Sequence, residues 1–142
     1  MNGHDLKVLN ELYKASMMGI ESITYLKDKI KDRKFKKEVR KQLNNYKKIS
    51  MKIEKMMSKY NGRLEEIPTK DKVMVWASVN VNTLIDDTST HLSEMLIQGT
   101  IMGVIEGVRL SKNENISKKV RCIVNKFIWI SENNIQNLKQ YL

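Results

Sequence analysis

The first 60 residues repeat apolar or small side chains at alternating spacings of three and four, and this pattern constrains the fold more than any other feature. The first series is Leu9, Leu12, Ser16, Gly19, Ile23, Leu26 and Ile30, and the second is Val39, Leu43, Tyr46, Ser50, Ile53, Met57 and Tyr60. A seven-residue repeat of this kind predicts helices that pack along a common seam. Asp32 is a suitable N-cap for the second helix, and Asn61-Gly62 is a suitable end. Because the connection between the helices is short, we expect them to be antiparallel.

The remaining sequence has the periodicity of two further helices, after a linker at residues 61–69 that contains Pro68. Four valines between residues 73 and 81 alternate as in a strand, but the apolar residues that follow return to helical spacing. We therefore interpret residues 70–110 as one long third helix, which a kink can interrupt. A last helix is predicted from Ile116 to Tyr141, with Asn115 as its N-cap. The sequence thus predicts an all-α protein, a single domain over residues 1–142 that folds as an antiparallel four-helix bundle.

Composition limits the location and the class of the protein. Of the 142 residues, 41% are hydrophobic and one is Cys. A single Cys excludes an intramolecular disulfide and suits a reducing cytoplasm. No run of about 18 apolar residues is present, so we expect no transmembrane segment. The sequence therefore predicts a cytoplasmic protein.

The net charge of +10 is concentrated in residues 27–59, which contain 14 basic and 4 acidic residues. Within this range Lys34, Lys41, Lys48 and Lys55 recur every seven residues on the outer face of the second helix. Such a row can bind a nucleic acid or another anionic surface. No helix-turn-helix, zinc-finger or RNA-binding motif accompanies it. An ordinary solvated helix face is the favoured interpretation, and polyanion binding is the alternative.

A polar stretch in the predicted third helix carries the residues with the most potential for chemistry. On a helix, Asp87, His91 and Glu94 share one face at spacings of four and three. Carboxylate and imidazole groups together bind transition metals such as iron or zinc. One helix supplies too few ligands for a closed site, so Tyr46 or Glu54 of the second helix is needed to complete it. The favoured alternative is a structural hydrogen-bond network that fixes the register of the helices.

Three glycines, Gly99, Gly103 and Gly107, lie four residues apart and share one face of the same helix. Each Gly in a helix interior costs about 1 kcal/mol relative to Ala, so three in register call for a compensating contact. We predict that they allow close packing of a neighbouring helix, for which Gly19 or Ser16 is a suitable partner.

The sequence contains no set of residues typical of catalysis. Ser89, His91 and Asp87 are neighbours on one helix, whereas a catalytic triad needs groups that converge from separate elements. Cys122 has only two histidines to pair with, and one of these, His4, is near the N-terminus. We therefore predict no catalytic residues, and the sequence favours a non-enzymatic protein.

Residues 90–103 read Thr-His-Leu-Ser-Glu-Met-Leu-Ile-Gln-Gly-Thr-Ile-Met-Gly and follow two long helices and a Pro-containing linker. In these features the chain resembles small ferritin-like proteins of Gram-positive spore-forming bacteria. The resemblance implies an antiparallel four-helix bundle and no settled biochemical activity. Di-iron ferritins use Glu on two helices and Glu-x-x-His on the other two. Here the motif is His91-x-x-Glu94, in the reverse order, and the 61–69 linker is short for the long crossover of that fold.

These features support three predictions of function. The first is a non-enzymatic cytoplasmic bundle with a structural or protein-interaction role, which binds itself as a homodimer or binds another protein. Ile128 and Trp129, beside Ile130 of the last helix, would supply its contact surface if the fold leaves them uncovered. The second is a metal-binding bundle, for iron or zinc, with an incomplete di-iron ligand set and a divalent metal ion as its cofactor. The third is polyanion binding through the basic second helix.

Overall fold

A computed structural model describes residues 1–60, 62, 64 and 88–142, and these residues are organised mainly as helices. The long helices are α1 (Gly3–Leu26), α2 (Arg33–Lys59), α3 (Ser89–Ser111) and α4 (Lys118–Leu138). Short 3-10 helices follow α1 and α4, at Lys27–Lys29 and Lys139–Tyr141. Over this part of the chain no strand is present, and the prediction of an all-α four-helix bundle is confirmed. In the same residues no helix combines the length and apolar content needed to cross a membrane.

The apolar seams of α1 and α2 are buried, as their heptad spacing predicts, except that Tyr60, the last member of the second series, lies after α2 and is exposed. Leu9 and Leu12 of α1 and Val39 of α2 are fully buried in the bundle core. The predicted cap of α2 is present, because the carboxylate of Asp32 accepts a hydrogen bond from the backbone amide of Phe35 at 2.8 Å. This cap and the short 3-10 helix before it reverse the chain, so α1 and α2 pack as an antiparallel pair.

At one end of the bundle, the starts of α1 and α4 are joined by hydrogen bonds. The buried carboxylate of Asp5 accepts a hydrogen bond from the amide of Ser117, just before α4, at 2.7 Å. The side-chain amide of Asn2 donates to the carbonyl of Asn115 at 3.0 Å. α1 and α4 therefore start at the same end and run in the same direction.

At the opposite end, the starts of α2 and α3 meet the end of α4. The Phe35 ring stacks on Tyr141, with the ring centroids 4.6 Å apart, and the Ser93 hydroxyl donates to the carbonyl of Leu138. α2 and α3 therefore run parallel to each other. α1 packs on α2 and α3, while α4 packs on α3 and, over a smaller surface, on α2. It follows that α2 and α3 occupy opposite corners of the bundle.

The start of α3 differs from the start predicted for the third helix. In the structure α3 begins at Ser89. Thr88 is its N-cap, because its backbone is extended and its hydroxyl accepts a hydrogen bond from the backbone amide of His91 at 3.3 Å. The predicted helix start at Lys70 lies outside the described residues. Because α2 and α3 are parallel, the end of α2 and the start of α3 lie at opposite ends of a bundle about 40 Å long. The predicted linker at residues 61–69 lies outside the described residues, apart from positions 62 and 64.

The start of α4 differs from the prediction by two residues. Ser117 is the N-cap, with its hydroxyl accepting a hydrogen bond from the amide of Val120 at 3.4 Å. Asn115 precedes the cap, and its amide donates to the side chain of Asn113 at 2.9 Å. Asparagine and serine are both good N-caps. Ser117 is the cap here because its side chain, unlike that of Asn115, accepts a hydrogen bond from the backbone amide three residues later. The inward side of α4 carries the buried residues Val120, Val124, Phe127 and Leu138.

The glycines of α3 have different surroundings. A methyl group at Gly107 would lie 2.8 Å from the side chain of Ile128, and one at Gly103 would lie 3.5 Å from the Phe127 ring. Both therefore face α4 rather than Gly19, whose own neighbour is the Tyr46 ring. A methyl group at Gly99 would meet no described atom within 4 Å. The close helix contact predicted at Gly99 is therefore not seen among the described residues.

Alanine substitution separates these roles. Gly99→Ala is expected to raise the free energy of unfolding by about 1 kcal/mol, because the helix gains propensity and no contact is strained. Gly107→Ala is expected to lower the free energy of unfolding by about 1–2 kcal/mol. The destabilisation caused by overpacking against Ile128 exceeds the gain in helix propensity. Urea denaturation followed by circular dichroism measures both. Equal effects of the two variants would contradict the different surroundings described above.

Candidate functional site

Neutral polar side chains meet in the middle of the bundle, where α2, α3 and α4 approach one another. Tyr46 of α2 is 5% exposed, and its hydroxyl lies among polar groups of Thr100, Ser131 and Asn134. Burial raises the pKa of the Tyr46 hydroxyl above its ordinary value, and contact with these three side chains opposes part of the shift. The hydroxyl therefore stays protonated in the folded protein at neutral pH.

Two of these buried groups lack hydrogen-bond partners. Ser131 Oγ and Asn134 Nδ2 bond to no group among the described residues, although both side chains are fully or almost fully buried. The Asn134 carbonyl accepts a hydrogen bond from the side chain of Gln42 at 3.5 Å. The carboxylate of Glu38 accepts hydrogen bonds from Gln42 at 3.1 Å and from Asn137 at 2.9 Å. A polar layer thus joins α2 to α4 and reaches the surface at Glu38.

Sequence reasoning missed most of this layer. Ser131 and Asn134 continue the apolar series of α4 at seam spacing, after Val124 and Phe127 and before Leu138. Polar residues at seam positions are the signal that was available, because a buried hydroxyl or amide needs a partner on another helix. Tyr46 was predicted as a seam residue of α2 and as a metal-ligand candidate, but its polar neighbours on α3 and α4 were not predicted.

The predicted metal ligands are only partly placed by the structure. On α3, His91 is half-buried and Glu94 is exposed, one turn apart. Neither side chain bonds to another group among the described residues, and Asp87 lies outside them. The two candidate partners on α2 are elsewhere. Tyr46 contacts Thr100, about 13 Å along α3 from His91, and the Glu54 carboxylate accepts a hydrogen bond from the Tyr13 hydroxyl at 3.0 Å.

The interior of the bundle does not fit a di-iron centre over the residues that the structure describes. Such a centre needs carboxylates and imidazoles that project inward from facing helices. Within residues 1–60 and 88–142 no three His, Cys, Asp or Glu side chains form a group that could hold a metal ion. The one buried carboxylate there belongs to Asp5, at the end of the bundle, where it accepts hydrogen bonds from two backbone amides. The central layer instead contains hydroxyls and amides.

The lysine row of α2 lies on the surface. Lys34, Lys41, Lys48 and Lys55 are all exposed, and none forms an ion pair with a carboxylate among the described residues. Ten basic side chains of α2 are exposed, against one acidic side chain, Glu54. At a rise of about 1.5 Å per residue, the row extends for about 30 Å. The outer face of α2 is therefore a continuous cationic surface, which we call the α2 basic face.

Comparison with solved structures finds a chain of similar shape. It is a dodecameric thioferritin, the bacterioferritin-related protein from Bacteroides fragilis, with a TM-score of 0.74 over 96% of this chain and 83% of that one. The fold is ferritin-like. Sequence identity with the thioferritin is 12%, so the likeness concerns the fold. Neither a protein-family model nor a curated protein matches the sequence.

The comparison corrects the first prediction of function. That prediction was a non-enzymatic bundle with a structural or protein-interaction role, and it is wrong because the similar structure is a thioferritin, which favours the metal-binding alternative. The contact surface predicted on α4 also differs from expectation. Trp129 is 66% exposed, but Ile130 is buried and Ile128 packs against the core. One exposed side chain does not make an apolar patch.

The raised pKa of Tyr46 predicts a pH dependence of stability. An unfolded tyrosine ionises near pH 10, whereas burial raises the pKa of Tyr46 above that value in the folded state. Above about pH 10 the folded state therefore binds more protons than the unfolded state, and the free energy of unfolding falls as pH rises. Tyr46→Phe is expected to make this fall less steep between pH 9 and 11, as measured by urea denaturation. The matched control is Tyr25→Phe, at an exposed position, which should leave the slope unchanged.

Proposed function

We propose that this ferritin-like bundle binds a divalent metal ion, iron or zinc, at His91 and Glu94 of α3. The observation that carries the proposal is an imidazole and a carboxylate one helical turn apart, neither engaged by another described residue. The likeness of the fold to a thioferritin supports a metal-related role. Asp87, one residue before the N-cap Thr88, is proposed as the third ligand.

The chemistry of this pair suits such an ion. Side chains at positions i and i+3 of a helix have Cβ atoms about 5–6 Å apart, so both can reach one ion. Imidazole nitrogen and carboxylate oxygen bind zinc at about 2.0–2.2 Å, and imidazole also suits iron. Because Glu94 is exposed and His91 half-buried, the ion would be open to water and in exchange with solvent. The N-terminal end of α3 disfavours a cation, so we expect weaker binding than at a closed structural site.

Titration with zinc tests this proposal. The full chain, freed of metal with a chelator and then desalted, is titrated with Zn²⁺ by calorimetry, and its metal content after chelator-free purification is measured. His91→Ala and Glu94→Gln are each expected to weaken binding at least tenfold, about 1.4 kcal/mol. His4→Ala and Glu132→Gln are the matched controls, since they remove the same groups from other exposed positions. Binding that is absent, or unchanged in the first two variants, contradicts the proposal.

Polyanion binding is a second candidate, favoured by the unpaired lysines of the α2 basic face. Row lysines recur every seven residues, about 10 Å apart, and can follow the phosphates of a nucleic acid backbone. No aromatic side chains are interspersed along the row for base stacking, so binding is expected to be electrostatic and independent of base sequence. Such binding weakens steeply as counterions compete.

Salt dependence tests the second candidate. With a duplex DNA 20-mer, the double variant Lys41→Gln/Lys48→Gln is expected to reduce the slope of log Kobs against log salt by about two. The double variant Lys118→Gln/Lys119→Gln removes the same charge from α4 and should leave the slope unchanged. Both slopes are measured by fluorescence anisotropy at NaCl concentrations from about 25 to 200 mM. Equal slopes in the two variants, or no binding at the lowest salt, would argue against a site on α2.

Self-association belongs to the same proposal. The structurally similar thioferritin is dodecameric, and we propose that this chain also forms homo-oligomers, with the homodimer as the basic unit.

The cytoplasmic location stays a prediction, based on the single Cys122. That cysteine is free and exposed on α4, in keeping with a reducing compartment.

A further inference from the structure

The outward side of α3 carries a second heptad series, distinct from the side that packs on α1 and α4. Its members lie at alternating spacings of four and three and define what we call the α3 stripe: Glu94, Gln98, Ile101, Ile105 and Val108, with Lys112, the C-cap of α3, as the last member. All six side chains are exposed. A heptad series on the solvent side of a helix is the pattern by which one helix packs along another.

The middle of the α3 stripe is apolar to an unusual extent for a solvent-facing surface. Ile101 is 43% exposed, Ile105 53% and Val108 37%, and Met102 beside them is 56% exposed. No charged residue occurs between positions 95 and 105. Elsewhere in the described residues, the exposed large apolar side chains are scattered over α1, α2, α4 and the termini. A contiguous apolar patch of this kind marks an interaction surface.

We propose that the α3 stripe binds the α3 stripe of a second copy of this chain, with the two helices antiparallel. The series is self-complementary about Gly103, because a two-fold axis there pairs Glu94 with Lys112, Gln98 with Val108, and Ile101 with Ile105. Every stripe residue then faces another stripe residue. In a two-fold interface the same patch must be complementary to itself, which this series satisfies.

Charge selects a second copy in this orientation. The acidic end of each stripe meets the basic end of the other, at both ends of the contact, whereas a parallel pair would place Glu94 against Glu94 and Lys112 against Lys112. Lys112 forms no ion pair among the described residues. The α2 basic face lies at the opposite corner of the bundle from α3. The dimer therefore keeps the two cationic faces far apart, although each chain has a net charge of +10.

This contact does not depend on the proposed metal site. The apolar pairs at the centre carry the binding, and exposed ion pairs at the ends contribute orientation more than affinity. Glu94 belongs to both proposals, so dimerisation is measured in the presence of EDTA, where no divalent ion is bound. Loss of metal binding and loss of the dimer are then separate results.

Sedimentation equilibrium of the full chain from 1 to 200 μM, at about 0.15 M salt, tests the interface. The wild-type chain is expected to dimerise in the micromolar range. Ile105→Glu is expected to weaken the dimer at least about thirtyfold, because the two-fold places two buried carboxylates in the apolar centre. Trp129→Glu is the matched control: it changes the most exposed large apolar side chain, which lies on α4, and should leave dimerisation unchanged.

A charge exchange tests the orientation. Lys112→Glu is expected to weaken the dimer, because it places two carboxylates opposite each other. Glu94→Lys/Lys112→Glu is expected to restore it, because positions 94 and 112 then again pair opposite charges. Circular dichroism confirms that each variant is folded. A larger assembly that Ile105→Glu dissociates also supports the interface. A wild-type chain that is monomeric at 200 μM, an assembly that Ile105→Glu leaves intact, or a dimer that the double variant does not restore overturns the proposal.

Discussion

The structure depends on the burial of one side of α2 beneath an outer face that is mostly basic. Ten exposed cationic side chains can only face water, so Val39, Ile53 and the rest of the α2 seam have one inward direction. That direction fixes how α1 packs, and α4 then completes the core beside it. α3 is placed at the opposite corner. Apolar burial supplies the stability, while the position of the charge decides which way the helices face.

The parts of this fold that sequence predicts are those set by local periodicity. The seams of α1 and α2 follow from apolar spacing, and the Asp32 cap follows from a side chain that reaches one backbone amide. The start of α3 does not, because Thr88 stands in a polar run where several residues can cap a helix. Contacts between helix ends that are far apart in the sequence, such as the contact of Asp5 with Ser117, are not encoded in any local pattern. A single domain over the whole chain stays a prediction.

The central polar layer shows why the fold alone does not specify a metal centre. Several inward carboxylates are tolerated in a bundle when a cation compensates their buried charge. Here the inward groups near Tyr46 are hydroxyls and amides, which cost less to bury and need only hydrogen bonds. Among the described residues, the imidazole and carboxylate of the His91 motif instead lie near the surface of α3. The position of those two groups could be predicted from their spacing, but their exposure could not, because it depends on which side of α3 meets α1 and α4.

The outer faces of the helices differ in their chemistry. In a four-helix bundle the buried faces of the four helices are chemically alike, since each must be apolar and of similar width. Function is therefore carried by what the helices present outward, which packing leaves free to vary. In this chain α2 presents cations and α3 presents an apolar stripe with opposite charges at its two ends. Because these helices stand at opposite corners, a partner on one face does not obstruct the other, and an anion on α2 also offsets the charge that opposes association through α3.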